Sequence, residues 1–175
     1  NYGEVLNYES MGAIPGDDGL NVMKHNHEVL SRALNSLNEG DVFIVPEKIF
    51  YVIGGIVVEQ LYGARIEING ELKFSDDRET WPTNRDGHVL ECLDFKSVNK
   101  TIFTSRRGDG ELGVLNGNGR KWWGAINFLK NQENRPRLFH VRQGTDWVFE
   151  RLLLKDSPFW SFYAESNEGL VIRYA

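Results

Sequence analysis

Between Asp109 and Trp123 the chain reads DGELGVLNGNGRKWW, with glycines at positions 110, 113, 117 and 119. A glycine at every third or fourth position excludes a helix across this stretch. Each glycine frees the backbone to take φ > 0 or to let another segment come close. Short apolar pieces flank them: Leu112, Val114 and Leu115 before, Trp122 and Trp123 after. That unit, a strand of a few residues and then a sharp turn, recurs along the chain. It demands an architecture of many short strands.

The flanking sequence repeats the pattern. Val42–Val45 stops at Pro46, and Phe50–Ile53 runs into Gly54-Gly55 and on to Ile56–Val58. Arg65–Ile68 alternates, turns at Asn69-Gly70 and continues as Glu71–Phe74. Further strands are expected at His88–Leu93, Thr101–Phe103, Leu112–Leu115, Leu138–Val141, Trp147–Leu154, Phe159–Tyr163 and Leu170–Tyr174. One amphipathic helix precedes them. Val22, Val29, Leu30, Ala33, Leu34 and Leu37 recur at helical spacing, which predicts a helix over 24–38 with Gly40 as its C-cap. Its other face carries His25, His27, Glu28 and Arg32, so it lies on something rather than being enclosed.

Short strands with few hairpin signals fit either a β-sandwich or a solenoid. Spacing favours the solenoid. Leu138–Val141, Leu152–Leu154 and Leu170–Ile172 read as successive rungs of a parallel β-helix. The open end of such a solenoid needs a cap, and the amphipathic helix has that character. Residues 1–40 are therefore expected to form strand, loop and cap, and 41–175 the first coils.

Twenty basic against 25 acidic residues leave a net charge of −5, which argues against nucleic acid or an anionic membrane as partner. No apolar run reaches the roughly 18 residues of a membrane-spanning helix. Cys92 is the only cysteine, so no disulfide forms within the chain. The start at Asn1 is compatible with a processed N-terminus, and Asn99-Lys100-Thr101 is a glycosylation sequon. Gly117-Asn118-Gly119 is no phosphate loop: Trp122 occupies the third glycine position of a dinucleotide fingerprint, and no Gly-Lys-Ser/Thr follows. His25 and His27 lie two apart, the wrong offset for a zinc pair on a helix. Asp17-Asp18 and Asp76-Asp77 read as loop and helix-entry residues, and no cofactor is called for.

Trp122 and Trp123, as strand neighbours, face opposite sides, so that either one packs and the other is open to stack on a sugar ring, or both are packing residues. His140 alternates with Phe139 and Val141 and faces a groove or a structural hydrogen bond. Arg142, with Arg120, Lys121, Arg135 and Arg137, either pairs with acidic sugar carboxylates or forms a solvated basic edge.

The opening Met11–Gly19, the helix, Gly40–Pro46 and the Phe50-Tyr51 strand resemble the start of pectin-lyase-like right-handed β-helix proteins. Leu115-Asn-Gly-Asn-Gly-Arg-Lys-Trp-Trp123 resembles the GnG..WW signature of polygalacturonase-type glycoside hydrolases, family 28. Lys155-Asp-Ser-Pro-Phe-Trp160 resembles the same family's SPfW turn, and Gly169–Ile172 its next strand. The resemblance implies an all-β, right-handed parallel β-helix and a secreted hydrolase acting on a polysaccharide. It also implies that the catalytic residues lie elsewhere. The family's Asn-Thr-Asp, Gly-His-Gly and Arg-x-Lys triplets are absent, and no Asp pair stands where its catalytic pair would. The chain thus resembles the N-terminal half of such a protein, completed by a C-terminal segment that supplies the carboxylates. The alternative is a non-catalytic β-helix module that binds glycans or builds an extracellular assembly.

Overall fold

The computed structural model describes residues 3–123 and 133–175. The chain enters through β1 (Val5–Asn7), crosses a loop, and forms α1 (Leu20–Ser36). It then winds through four coils. The first comprises β2 (Val42–Val45), β3 (Ile49–Val52), β4 (Ile56–Val58) and β5 (Leu61–Tyr62). The second comprises β6 (Arg65–Ile68), β7 (Glu71–Phe74), β8 (Leu93–Phe95) and β9 (Val98–Asn99). The third holds β10 (Ile102–Thr104), β11 (Gly113–Asn116), the short helix α2 (Arg120–Trp123), β12 (Phe139–Val141) and β13 (Gly144–Thr145). The fourth holds β14 (Val148–Glu150), β15 (Leu152–Lys155), β16 (Phe162–Ala164) and β17 (Asn167–Glu168), and β18 (Val171–Arg173) opens the next.

Every ladder between these strands is parallel, and strands pair only with the coil before and after. Four stacked sheets result: β1-β2-β6-β10-β14-β18, then β3-β7-β11-β15, β4-β8-β12-β16 and β5-β9-β13-β17. This is a right-handed parallel β-helix with four sides. Inward positions stack by type. Phe43 lies on Ile66, Phe103 on Phe149, and Phe139 packs against Phe162 with rings 5.5 Å apart and nearly coplanar. Trp147 completes that aromatic column.

The corners follow one rule. Gly63, Lys100, Asp146 and Gly169 each follow the last strand of a coil, and all four have φ between 48° and 65°. The left-handed conformation turns the chain into the next coil whether or not glycine occupies the position.

Helix α1 closes one end, with Val29, Leu30, Ala33 and Leu34 buried. It starts at Leu20, earlier than 24, and its C-cap is Leu37, not Gly40. Gly40 instead turns the exit loop at φ 89°. Asn26 is fully buried on the packed face: its Oδ1 accepts from Ile14 N–H at 2.8 Å, and its Nδ2 donates to the Ile14 and Tyr51 carbonyls at 2.9 Å. A polar residue thereby ties the entry loop to the first coil.

The expected run 147–154 is broken at Arg151, which takes φ 56° and moves the chain from one sheet to the next. The expected strand over His88–Leu93 begins only at Leu93, because the preceding residues belong to a loop folded back by a Thr83–Val89 bridge. The three segments taken as successive rungs belong to three different sheets, through β12, β15 and β18. They are sides of the solenoid, not rungs of one side.

Candidate functional site

Connections between strands are short except around one sheet. The loop over 75–92 and the segment 117–123 leave the same edge of β3-β7-β11-β15, while residues 105–112 rise on the opposite edge. That sheet's outer face is therefore the floor of a walled groove. Its floor is a register column: Tyr51, Lys73, Asn116 and Lys155 lie on successive coils. Adjacent strands are about 4.8 Å apart, so Lys73 and Lys155, two coils apart, stand roughly 9.6 Å from each other.

Lys73 sits over the Tyr51 ring, Nζ 5.6 Å from its centroid, and forms no ion pair among the described residues. Lys155 has only Asp156 at 3.9 Å. Lys121 meets Asp76 at 3.0 Å. Tyr51, Lys73, Asp76 and Lys121, with Asp18, Ser75 and Asn118, bound a polar cavity of about 380 Å³. Asn116 is buried; its Nδ2 donates to Glu71 Oε1 at 2.7 Å and its Oδ1 accepts from Asn118 N–H. Formal charges in the cavity balance, Lys73 and Lys121 against Asp18 and Asp76, but Lys73 is left without an ion pair among the described residues and can meet an anionic group of a ligand.

The glycine motif forms the wall's base. A Cβ on Gly119 would lie 2.7 Å from three backbone atoms of Asp156, Ser157 and Pro158, so only glycine allows this approach. Neither Gly117 nor Gly119 needs positive φ; Asn118 takes it, at 48°. The Trp pair follows on α2, not on a strand as expected, because the helix begins immediately after Gly119. The split into one packed and one open ring still occurs, through the helix's rotation of about 100° per residue. Trp122 is buried edge-on to Trp81 at 5.2 Å. Trp123 is 48% exposed and donates Nε1–H to the Ser157 carbonyl at 2.8 Å.

His140 and Arg142 lie elsewhere, on the outer face of β4-β8-β12-β16. His140 is buried between two carboxylates, with Nε2 3.2 Å from Glu165 Oε1 and Nδ1 3.2 Å from Asp94 Oδ1. The first contact is a hydrogen bond; the second is close without hydrogen-bond alignment. Arg142 holds the same Asp94 with a fork, Nη2–Oδ2 2.8 Å and Nε–Oδ1 3.3 Å. Burial pushes the Asp94 carboxyl up, but the close His140 ring and the charged Arg142 fork outweigh it and hold the group below the ordinary carboxylate range. Asn99 sits in β9 between Tyr62 and Thr145, its Nδ2 3.1 Å from Ser97 Oγ, with Thr101 buried beside it.

The four named residues therefore do not converge: Trp122 and Trp123 stand at the groove wall, while His140 and Arg142 stand on the neighbouring sheet. Lys73, Asn116 and Lys155 were missed. Alternation in Glu71–Phe74 puts Lys73 outward, but its alignment with Lys155 depends on coil lengths that the sequence does not display.

Among the described residues no set of three or more His, Cys, Asp or Glu side chains forms a metal-binding group, and no helix is long and apolar enough to cross a membrane.

No family model matches the chain. It is 29% identical over 147 residues to a probable exopolygalacturonase B of Aspergillus terreus, covering 77% of this chain. It is 28% identical over 146 residues to exopolygalacturonase B of Aspergillus niger. The chain spans about a third of the length of these curated relatives, 32% in both cases. Among solved structures it superposes on the endo-xylogalacturonan hydrolase of Aspergillus tubingensis with a TM-score of 0.67, at 21% identity, over 97% of this chain and 42% of that one. The fold is the β-helix expected from the sequence, and the resemblance to polygalacturonase-type proteins is borne out.

Proposed function

We propose that the chain forms the first coils of an extracellular glycoside hydrolase acting on an acidic polysaccharide of the polygalacturonan type. The observation that carries this reading is the lysine column on the walled sheet. Lys73 forms no ion pair among the described residues and Lys155, in the same register column, meets Asp156 only at 3.9 Å, while a polyuronate presents a carboxylate on every sugar. The ladder runs along the solenoid axis, so a ligand lying in the groove crosses one coil after another.

Catalysis in this reading comes from carboxylates on coils stacked beyond β18. Hydrolysis with inversion requires two carboxyl groups about 6.5–9.5 Å apart, one protonated and one activating water. The acidic groups bordering the groove here have other duties: Asp76 pairs with Lys121, and Asp77 accepts from Thr80 Oγ1 at 3.0 Å and Glu79 N–H at 3.0 Å. Similarity to exopolygalacturonases supports the activity class, and the open apolar end formed by Leu154, Phe162 and Ile172 supports the completing segment.

The test has two arms. Tetragalacturonate should bind the chain with an affinity that falls with salt and drops about tenfold in Lys73→Ala, a loss of about 1.4 kcal/mol. The chain alone should release no reducing ends from polygalacturonate, and the protein extended by its downstream coils should. Hydrolysis by the chain alone, or binding unaffected by Lys73→Ala and salt, overturns the proposal.

A further inference from the structure

The face bearing His140 carries a second feature that the groove reading does not use. Phe159, Trp160, Tyr163 and His140 form a continuous strip of rings, with successive centroids 5.0, 5.0 and 5.1 Å apart. Arginines of the preceding coil lie on it. The Arg135 guanidinium is 4.9 Å from the Phe159 ring; that of Arg137 is 5.2 Å from Trp160 and 4.6 Å from Tyr163. Arg137 and Phe159 pack against the Trp160 ring, which remains 46% exposed. Beside Phe159 and Trp160 opens a cavity of about 400 Å³, bordered by Glu91, Glu133, Arg135 and Arg137.

The charges in this cavity cancel pairwise. Arg135 grips Glu133 through two hydrogen bonds, at 2.6 and 2.8 Å. Arg137 Nη1 donates to Glu91 Oε1 at 2.5 Å, and its backbone N–H donates to the other oxygen of the same carboxylate. One carboxylate thus fills the Arg135 fork, and the other is held by Arg137 through one Nη and the backbone N–H, while Arg137 Nε has no partner among the described residues. Among the described residues, a further carboxylate entering here would find no unpaired lysine or arginine and would approach two existing anions. A hydroxyl-bearing ligand meets the opposite situation. Ion-paired carboxylates retain lone pairs, guanidinium groups retain N–H donors, and a hydroxyl both donates and accepts. The exposed part of the Trp160 indole offers an apolar surface to the C–H groups of a pyranose.

We infer that Phe159 and Trp160, with the Glu91–Arg137 and Glu133–Arg135 pairs, form a binding site for a neutral sugar, separate from the lysine groove. The inference rests on the proposed function only in taking the ligand to be a glycan. The two sites divide the chemistry of a mixed polysaccharide: uronate units at Lys73 and Lys155, and neutral sugar units at Trp160.

The experiment is a titration of the chain with xylotetraose, cellotetraose and tetragalacturonate, read at the indole N–H resonances. A neutral tetrasaccharide is expected to shift the Trp160 signal, to leave that of Trp123 in place, and to do so independently of salt. Trp160→Ala should weaken its binding at least tenfold, Trp160→Phe should retain part of it, and Lys73→Ala should change nothing. A Trp160 response confined to tetragalacturonate, neutral-sugar binding that survives Trp160→Ala, or no response to any of the three overturns the inference. Failure of the groove reading shows separately, as tetragalacturonate binding insensitive to Lys73→Ala.

Discussion

Gly113 has no side chain because there is no room for one. A Cβ built on it would sit 1.8 Å from the Ile68 carbonyl oxygen. The atom in the way is backbone, so the strand itself must move. Gly113→Ala should cost about 3 kcal/mol, an overpacking penalty at the high end of its usual range, read as a fall of roughly 10 °C in melting temperature. The Asp94 carboxylate gives a second prediction at this scale. Its acidity is raised in the folded state by His140 and Arg142. The stability it contributes is therefore complete above the unfolded carboxyl value, near pH 4, and is lost as pH falls through the lower folded value. Asp41, held down first by the Asn38 N–H, and Asp77, held down first by the Thr80 hydroxyl, act in the same direction. Urea unfolding at a series of pH values should show stability declining below about pH 4. Asp94→Asn should be less stable at pH 7 and lose less on acidification. A parallel decline in both proteins would remove Asp94 from this account.

At the scale of elements, α1 is more than an apolar lid. Asn26 satisfies three backbone groups of two other segments from inside the packed face. Asn26→Ala strands them in a dry environment and should cost about 3 kcal/mol, whereas Arg32→Ala, on the exposed face, should stay within about 0.5 kcal/mol. Denaturant midpoints decide between them. Asn26 also marks where sequence reading stops. The spacing of Val29, Leu30, Ala33 and Leu34 reveals the helix and its buried stripe. It cannot reveal a buried asparagine, whose partners Ile14 and Tyr51 are brought there by the first coil. Similarly, Leu115–Trp123 announces the fold family through its glycines, yet the lysine ladder is invisible because it joins residues 73 and 155, which come into line only after two coils of unequal length. The aromatic strip was partly legible, since Phe159 and Trp160 lie in one motif, but the pairing of Arg137 with Glu91 spans 46 residues.

For the whole molecule the two ends differ. Helix α1 seals one. At the other, Ile172 points inward beneath buried Phe149 yet is 51% exposed, and Phe162 and Leu154 beside it are only partly covered. The chain alone should therefore self-associate with increasing concentration, and Ile172→Lys should keep it monomeric without lowering its melting temperature. Sedimentation velocity tests this: a monomer at every concentration would show that the open end needs no cover. The register has a different implication. Along one side, partners step from Val42 to Arg65, Ile102, Val148 and Val171, each strand lying on one made earlier in the sequence. No strand among these waits for a later one to complete its first ladder. A nascent chain leaving the ribosome can thus lay down its coils in the order of synthesis, starting on a finished cap. In such growth the long loops between coils delay the next strand without altering the surface it lands on.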